Sequence, residues 1–469
     1  MNRKCRQKFY PDIVIVYEHK AREYYNSYLI KTELEKRGYS VWLCHHSYYH
    51  TWWMRLFAKP KIVITLCALL TELRKDWTVL EQHTSFLRGD APYIINLQSE
   101  QMFRDENCEY NVVRDKAYAE KIYYACWGEW RKRQLLKLGI EEDKTRVTGA
   151  LQLDLCHEKF YSIYKTKSEI GKLYELDTEK EWVLFISSFP YVTYTDKEFE
   201  WSVKVQNQYE QKINIDKLYT MKEAATQAYV TILEWIEKYL RENTEQIIIY
   251  RPHPGENVTG RIEELKKAFP DNFYCIREEN IQQWIYACEY IDTWVSTAVV
   301  ESTFMNKVCN IVQPIDAPKD FQPVFMDGLK KINTYEKFAN AHKKESLVSE
   351  DERDRLLNDY YANDHVMAYE EICDWVEEIL AKDTAGGNNR KSSRIWKYIF
   401  SRHYVLSIYA AFVLTFHIKL GKLIPIAKLR EFEKKLSEGG DICDDCSFSP
   451  LDKEKAQRIR EIVRATEVK

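Results

Sequence analysis

The segment at residues 247–256 constrains the fold more than any other stretch of the chain. Ile247-Ile248-Ile249 is a run of β-branched apolar residues, typical of a strand buried on both faces of a parallel sheet. The run ends in Arg251-Pro252-His253-Pro254-Gly255, where two prolines fix the backbone and remove two N–H donors. The sequence therefore predicts a stiff loop at the carboxyl end of a parallel strand, where open α/β sheets place ligand-binding groups.

Two side chains of this loop suit a phosphate ligand. Arg251 offers a planar fork of donors. His253 offers a ring that can donate to a phosphate oxygen or move a proton. The alternative is an ordinary strand-to-loop turn with a solvated arginine and histidine. Because two prolines hold the pair together, the phosphate-binding interpretation is favoured, although a motif this short does not identify a reaction.

Length and composition indicate a soluble globular protein of more than one domain. A chain of 469 residues exceeds one ordinary core, so two domains plus an appendage are expected. The net charge of -3 gives no reason to expect a nucleic-acid partner.

Only four apolar residues, Ile13–Val16, follow the charged N-terminus, which predicts a core strand and not a secretory signal. The scattered cysteines are then reduced thiols, and the single C-x-x-C pair, Cys443 and Cys446, does not complete a metal site.

Strands alternate with helices in both halves of the chain, which predicts an α/β fold of two doubly wound, Rossmann-type domains. In the first half, strands are predicted at Ile13–Val16, Val41–Cys44, Ile62–Leu66, Tyr93–Leu97 and Ile122–Trp127, and helices at Ala21–Arg37 and Arg131–Leu138. In the second half, strands are predicted at Trp182–Ile186, before the Arg-Pro-His-Pro loop, at Tyr290–Val295 and finally at Val308–Val312, with helices at Met221–Leu240 and Ile281–Cys288. Residues 187–220 show little periodicity and predict a long loop or flap.

These patterns predict four regions. Residues 1–175 form an N-terminal Rossmann-like domain, 176–345 a C-terminal one, 346–384 charged helices, and 385–469 a basic and apolar tail. Residues 390–430 hold nine Lys/Arg and no Asp or Glu, around an apolar stretch at 404–416. That stretch is short against the roughly 20 residues needed to span a bilayer. It favours an interfacial helix on anionic lipid over a helix packed on the protein itself or on a partner subunit.

A second candidate anion site follows the strand at Tyr290–Val295. Ser296 and Thr297 carry small hydroxyl groups that can cap the next helix, whose N–H groups and dipole favour phosphate. Glu301 lies one turn further, where a carboxylate can accept hydrogen bonds from ribose hydroxyls. The alternative is a plain helix cap and first turn. Beside Arg251 and His253 in the same half, a nucleotide phosphate is the better account.

Charged residues just beyond the predicted strand ends of the first half are candidates for acceptor chemistry. A carboxylate there, facing a cleft between the two halves, can act as general base on an acceptor hydroxyl, whereas a solvated helix-start charge is the alternative for each one. The candidates are Glu18, His19, Arg22, Glu23 and Glu100, with Glu81 and His83 in weaker positions. The sequence has no P-loop, no G-x-S-x-G, no H-E-x-x-H and no DxD-type motif at a nucleotide position, so metal-free chemistry is expected.

Four segments together resemble the bacterial surface carbohydrate (polysaccharide) biosynthesis proteins, a family of GT-B-like glycosyltransferases related to the capsule Kdo transferases and, distantly, to non-hydrolysing sugar-nucleotide 2-epimerases. The segments are Glu18–Glu23 with Leu34–Val41, Trp127–Trp130 with Val147–Gly149 and Asp154, Arg251–Pro254, and Ser296-Thr297 with Glu301. The chain departs from the family pattern at Gln98–Gln101, where the family tends to have Asp-Glu-Glu-Gly and only Glu100 is acidic here, and at Ala150–Gln152, where the family has Asn-Pro-Arg. The basic tail lies outside the resemblance.

The resemblance implies a metal-independent glycosyltransferase with a GT-B-like fold, an N-terminal acceptor domain and a C-terminal nucleotide-sugar domain across a cleft. No cofactor is implied beyond the nucleotide-sugar, which is a substrate. The implied roles are Arg251, His253, Ser296, Thr297 and Glu301 on the donor, Glu100 and His253 in catalysis, and Glu18 and Arg22 on the acceptor side. The implied partners are a lipid-linked or polysaccharide acceptor and, through residues 390–430, the membrane surface. The expected location is the cytoplasmic face of the cell membrane, as a peripheral protein.

Two other functions share these features. A catalytically degenerate scaffold in a polysaccharide assembly complex fits the thinned acidic turn at Gln98–Gln101. A sugar-nucleotide epimerase or a glycerophosphate-type transferase would use the same phosphate site. An epimerase needs neither an acceptor nor a membrane tail, so the tail counts against it.

Overall fold

The fold is that of a computed structural model. It describes residues 11–45, 58–67, 72–74, 77–78, 92–99, 101, 121–208, 215–258, 260–343, 351, 354, 359–362, 367–383, 405–406, 408–409, 413, 420–422, 427–437 and 448–465. The candidate base Glu100, Glu81, His83 and the C-x-x-C pair lie outside the described residues, as does most of the 390–430 segment.

The described residues group into two compact units. The first contains those up to residue 101, those at 121–155 and those from 362 onward, and the second contains those at 156–361. Residues 156–175, assigned from sequence to the first domain, therefore belong with the second unit. Lys165 shows the physical reason, because its N–H donates to Gln283 at 2.8 Å and its ammonium group pairs with Glu279 at 2.6 Å. A charged stretch that reads as a linker is held here by tertiary contacts.

The first unit is built on a six-stranded parallel sheet. Its strands are β1 (Ile13–Tyr17), β2 (Val41–His45), β3 (Ile62–Thr65), β6 (Tyr93–Asn96), β7 (Ile122–Cys126) and β8 (Thr145–Val147), in the order β2-β1-β3-β6-β7-β8. A separate antiparallel pair consists of β4 (Glu72–Arg74) and β5 (Trp77–Thr78). All five predicted strands of this half are present, because their apolar runs are long enough to be buried on both faces.

The helices of the first unit begin with a departure from prediction. Residues Lys20–Tyr24 form one π-helical turn, and only then does α1 (Tyr25–Lys36) begin, so the predicted helix at Ala21–Arg37 is two elements. The carboxylate of Glu23 accepts the backbone N–H groups of Glu18 and His19, both at 2.8 Å, and fixes this wider turn. The next helices are α2 (Glu129–Lys137) and the short α3 (Leu151–Asp154).

The second unit is built on another six-stranded parallel sheet. Its strands are β9 (Glu181–Ile186), β10 (Gln246–Arg251), β11 (Phe273–Cys275), β12 (Tyr290–Thr293), β13 (Cys309–Val312) and β14 (Lys331–Ile332), in the order β11-β10-β9-β12-β13-β14. The prediction that Val308–Val312 is the last strand is wrong, because two more residues pair with β13 at the sheet edge. A two-residue strand carries too little periodicity to be seen in a sequence.

Helices cover the second sheet. They are α4 (Lys167–Tyr174), α5 (Pro190–Thr193), α6 (Asp196–Gln208), α7 (Ile215–Glu242), α8 (Gly260–Ala268), α9 (Ile281–Ala287), α10 (Ala298–Phe304) and α11 (Tyr335–Ala341). The predicted flap at 187–220 is therefore wrong for its described part, which is mostly helical. A capping box starts α6, since Thr195 and Glu198 each accept the other's backbone N–H. That Thr-x-x-Glu signal was present in the sequence beneath the polar composition.

The central prediction about residues 247–249 is confirmed. Ile247, Ile248 and Ile249 are completely buried, and β10 pairs in parallel with β9 on one side and β11 on the other. The predicted α/β fold class is confirmed as well: each unit is a Rossmann-type parallel sheet flanked by helices.

Helices from the C-terminal part of the chain pack on the first unit. They are α12 (Ala368–Asp383), α13 (Ala427–Ser437) and α14 (Pro450–Ala465). Buried Ala456, Ile459 and Val463 form the apolar face of α14, which lies on α1. A search of the described residues finds no helix with the length and apolar character needed to cross a bilayer.

Candidate functional site

The carboxyl edge of the second sheet carries the candidate residues. Strand β10 pairs with one edge of β9, and β12 pairs with the other edge. The strand order therefore reverses between β9 and β12. In open α/β sheets, ligands bind outside the carboxyl ends of the strands at such a reversal. Ser187 and Ser188 follow β9, and Ser296 follows β12. The Ser188 hydroxyl accepts the Val295 N–H at 3.3 Å and so joins the two strand ends.

The loop after β10 forms a tight turn that orients His253. The Glu256 N–H donates to the His253 carbonyl at 2.8 Å and closes the turn, and no helix begins before Gly260. The Gly255 N–H donates to Nδ1 of His253 at 3.1 Å. A ring nitrogen that accepts an N–H carries no proton of its own, so this contact favours the neutral tautomer with hydrogen on Nε2. The exposed ring therefore presents Nε2–H as a donor.

A buried carboxylate lies beneath this loop. The side chain of Glu256 is 2% exposed. Its Oε1 accepts the hydroxyl of Tyr250 at 2.6 Å, and its Oε2 accepts the hydroxyl of Ser187 and the backbone N–H of His253. Burial is the main reason that the pKa of Tyr250 is raised well above its usual range, so its hydroxyl stays a donor. No role for Glu256 was predicted from the sequence, although a glutamate three residues after His253 is visible there.

Two arginines brace the loop from opposite directions. Arg251 donates to the carbonyls of residues 277–279, with distances of 3.0, 2.8 and 2.6 Å. Arg277 donates to the carbonyls of His253 at 3.3 Å, of Pro254 at 3.4 Å and of Glu256. Three of the five N–H groups of Arg251 are thus committed to backbone carbonyls, a use that the sequence did not indicate. Burial lowers the pKa of Arg251 to about 10, and the side chain remains a cation at neutral pH.

The hydroxyl groups after β12 lie where predicted, but only one of them makes a local bond with the helix start. Ser296 accepts the Ala298 N–H at 3.1 Å, whereas Thr297 occupies the N-cap position without a side-chain cap bond. Ser296 is half-buried and Thr297 is exposed. The structure places this pair on the same sheet edge as His253, with β9 between their two strands.

Glu301 is a desolvated carboxyl group in the first turn of α10. Among the described residues no other side chain pairs with it, and burial raises its pKa to about 7 although a hydrogen bond from its own backbone N–H lowers it. Its charge contributes to the raised pKa values of buried Tyr164 and Tyr361. Perturbed, partnerless carboxyl groups cluster at functional sites. The predicted ribose contact remains a prediction with a suitable chemical group behind it.

The helical segment α5 packs against the His253 loop. Thr193 accepts both the backbone N–H and the side-chain amide of Asn257, at 2.9 and 3.1 Å. A Cβ atom added to Gly255 would lie 2.8 Å from the hydroxyl of Tyr194, so any larger residue here requires the tyrosine side chain to move. The segment expected to be a flap is therefore part of the wall of the candidate site.

The acceptor-side candidates lie in the first unit, Glu18 just before the π-helical turn and Arg22 on it. Glu18 is half-buried, and Arg22 is an exposed residue whose guanidinium donates to buried Glu23 at 2.7 Å. A single π-helical turn is frequent at functional sites. The role predicted for Glu100 stays a prediction, because that residue is not described.

Two other segments of the family pattern have structural roles. Asp154 is 1% exposed and accepts the N–H groups of Ala368 and Tyr369, at 2.9 and 2.7 Å, which caps α12. Gln98 accepts two hydrogen bonds from buried Arg131, at 2.8 and 2.6 Å. The neutral Gln98 thus takes a position in a buried network where the family tends to place Asp.

Cation binding was also considered. Within the described part of the chain, no three His, Cys, Asp or Glu side chains lie together as a metal site. The expectation of metal-free chemistry stays a prediction.

Comparisons with known proteins give structural likeness only. No protein-family model matches the sequence, and a search of curated proteins finds no significant match. Solved structures of similar fold include UDP-GlcNAc 2-epimerase of Methanocaldococcus jannaschii in complex with UDP-GlcNAc and UDP, at 15% identity and a TM-score of 0.46, covering 78% of this chain and 99% of that one. The S. aureus MnaA–UDP structure is similar at 11% identity and a TM-score of 0.46, covering 81% and 100%. A variant of the wall teichoic acid polymerase TagF is similar at 13% identity and a TM-score of 0.49, covering 81% and 90%.

Proposed function

We propose that this protein binds a nucleotide-activated sugar at the carboxyl edge of its second sheet and transfers the sugar to an acceptor in the synthesis of a bacterial surface polysaccharide. The observation that carries the proposal is the presentation of His253. Its Nδ1 accepts the Gly255 N–H, so the exposed ring carries its proton on Nε2, in a loop held by hydrogen bonds from Arg251 and Arg277.

In the proposed reaction, His253 binds the phosphate that departs from the sugar. Negative charge develops on that phosphate as the bond between the sugar and the phosphate oxygen breaks. A donor already in place stabilises this charge without reorganisation, which is the largest catalytic contribution in many enzymes. Arg251 adds a fixed positive charge close by, while the Ser296 and Thr297 hydroxyls supply further contacts to phosphate oxygens.

Glu301 would hold the ribose of the nucleotide. With a pKa of about 7, its carboxyl group is available in both protonation states at neutral pH and can accept from, or donate to, a sugar hydroxyl. Binding therefore should depend on pH around neutrality. Glu18, Arg22 and Glu100 remain the proposed acceptor-side groups, with a lipid-linked or polysaccharide acceptor brought near by residues 390–430 at the membrane surface.

Thermal stabilisation by nucleotides tests the proposal. The protein is melted with CMP-, UDP-, GDP- and CDP-linked sugars and with CDP-glycerol, as wild type and as His253→Ala. Ligand at about 100 times its dissociation constant should add roughly 2.7 kcal/mol to the free energy of unfolding of the wild type. His157→Ala is the matched control, because His157 is exposed in the same unit and its Nδ1 also accepts an N–H two residues ahead, that of Lys159 at 3.3 Å.

Each outcome has a distinct meaning. One nucleotide-sugar class that stabilises wild type and His157→Ala, but not His253→Ala, supports the proposal and identifies the donor. Stabilisation by CDP-glycerol alone would assign the site to a glycerophosphate-type transferase, and interconversion of a bound sugar without acceptor would assign it to an epimerase. His253-dependent binding without turnover on any acceptor favours the scaffold. The proposal is overturned if no nucleotide stabilises the wild type.

A further inference from the structure

We propose that Glu256 is the positioning residue for His253: its buried carboxylate holds the backbone of the loop in the one conformation that presents Nε2–H to the phosphate. This inference deepens the proposed function and rests on it. Glu256 is not assigned a role by any sequence motif discussed above, and it acts through His253 without touching the substrate itself.

The first support is the hydrogen-bond pattern of the carboxylate. Its two oxygens accept hydrogen bonds from three donors that come from three places: the end of β9, the end of β10 and the loop. Ser187 and Tyr250 are fixed parts of the sheet, and both are buried. The third donor is the backbone N–H of His253 at 3.2 Å, so the carboxylate joins the loop residue to the sheet.

The second support is that this arrangement is costly to build. A carboxylate that is 2% exposed has lost its hydration, and among the described residues no Lys or Arg forms an ion pair with it. The hydrogen bonds to its two oxygens come from neutral donors. An apolar side chain of similar volume would stabilise a purely structural core at least as well. A fully hydrogen-bonded buried carboxylate instead specifies one local geometry.

The third support is the connection from Glu256 to the imidazole. Glu256 also closes the turn, because its own N–H donates to the His253 carbonyl at 2.8 Å. This turn places the Gly255 N–H against Nδ1. Removing the carboxylate releases the His253 N–H and leaves the turn held only by the backbone bond and by Arg277, which weakens the selection of the tautomer. The ring then loses the orientation of Nε2–H while keeping its chemical identity.

A double-mutant cycle tests the inference, with inorganic pyrophosphate as the probe. Affinity is measured by calorimetry for the wild-type full chain, Glu256→Ala, His253→Ala and the double variant. If Glu256 acts through His253, each single change should weaken binding roughly tenfold, and Glu256→Ala should cost nothing further once His253 is absent. Equal losses from Glu256→Ala in both backgrounds would overturn the inference while the phosphate site itself stands. If His253→Ala leaves affinity unchanged, the proposed function fails at this site.

Glu256→Gln separates geometry from charge. The amide oxygen can accept from Ser187 and the His253 N–H, while the amide N–H group can donate to the Tyr250 oxygen, so every partner stays satisfied. We expect this variant to retain affinity within about threefold, since it keeps the hydrogen bonds. A Gln variant as weak as the Ala variant would contradict positioning by hydrogen bonds.

A control variant is needed to show that a loss of stability does not by itself weaken pyrophosphate binding. Asp292→Asn is the control, because Asp292 is a buried carboxylate of the same sheet, bonded to Asn310 and His342 and away from the loop. It should lower the melting temperature without weakening pyrophosphate binding. In addition, ¹⁵N spectra of the ligand-free protein should show Nδ1 of His253 as the unprotonated nitrogen in the wild type and Glu256→Gln. Mixed tautomers are expected in Glu256→Ala, and an unchanged tautomer there would overturn the inference.

Discussion

Arg251 and Arg277 form reciprocal hydrogen bonds between two loops. Arg251 donates to the three carbonyls of residues 277–279. Arg277 donates to three carbonyls within residues 253–256. Two cations close together would normally repel. Here each is compensated by carbonyl oxygens, so the loop after β10 is fixed by charge-assisted hydrogen bonds on both sides. The positive charge near His253 is consequently fixed in place before any ligand arrives.

The two arginines should differ in what their removal does. Arg251→Ala removes three hydrogen bonds to backbone carbonyls, of which the Glu278 carbonyl keeps a second donor, the Trp284 indole, and should lower the free energy of unfolding by about 2–4 kcal/mol. Arg277 is exposed, so Arg277→Ala should cost at most about 1 kcal/mol and instead should speed amide hydrogen exchange at residues 253–256. Denaturant unfolding and exchange mass spectrometry measure the two effects. Arg261→Ala removes only surface ion pairs of the same unit. It should change the free energy of unfolding, and the opening free energy derived from amide exchange at residues 253–256, by no more than about 0.5 kcal/mol.

The pKa of Glu301 predicts a pH-dependent stability. In the folded protein the pKa is about 7, against 4.5 for an unperturbed glutamate, so the folded state binds more protons between these values. Ionisation in this window therefore destabilises the protein, progressively as pH rises from 4.5 to about 7, by on the order of 1–3 kcal/mol. Glu301→Gln should be more stable than wild type at pH 8 and no more stable at pH 4. A stability gain equal at both pH values would contradict a raised pKa.

The close approach of Gly255 to the Tyr194 hydroxyl predicts that a second substitution can restore the stability lost in Gly255→Ala. Gly255→Ala would bring a Cβ within 2.8 Å of the Tyr194 hydroxyl and should cost about 1 kcal/mol, because the tyrosine side chain has to move aside. Tyr194→Phe removes that oxygen and, in the double variant, should restore most of the loss. Thermal melts of the wild type, the two single variants and the double variant, with and without nucleotide, give the coupling free energy between the two positions. Additive effects of the two changes would exclude the clash as the cause.

Helix α14 should stabilise the first unit. Ile459 is completely buried against that unit, so Ile459→Ala should lower its free energy of unfolding by about 2–5 kcal/mol through lost burial and the cavity left behind. Leu451 is on the same helix and 59% exposed, and Leu451→Ala should change stability by no more than about 0.5 kcal/mol. Urea unfolding measures both, and equal effects would show that α14 does not pack as described.

The π-helical turn offers a test of the acceptor-side proposal. Glu23→Ala removes the acceptor of the Glu18 and His19 N–H groups and of the Arg22 guanidinium. We expect turnover on an acceptor to fall at least tenfold through displaced Glu18 and Arg22, with nucleotide affinity unchanged within about twofold. Steady-state kinetics on acceptor and donor separate the two effects. A loss of nucleotide affinity alone would argue against an acceptor role for this turn.

The sequence predicted the sheets well because buried parallel strands leave a strong local signal. Ile247–Ile249 shows this most clearly, since three β-branched residues in succession have few other stable environments. The helical character of residues 196–208 was missed because polar composition concealed a capping box at Thr195 and Glu198. The two-residue strand Lys331–Ile332 has no local signal at all and exists only because β13 offers it a partner.

By itself, the sequence determined the α/β class, the two Rossmann-type units, and the placement of Arg251, His253, Ser296 and Thr297 on the carboxyl edge of one sheet, because each follows from periodicity and from residues that break it. Only the tertiary structure decided what those side chains contact. It committed most of the donors of Arg251 to backbone carbonyls, placed a buried carboxylate under His253, and left Glu301 without a side-chain partner among the described residues. Hydrogen-bond partners and burial depend on segments distant in the chain, and no local pattern of residues encodes which of them will meet.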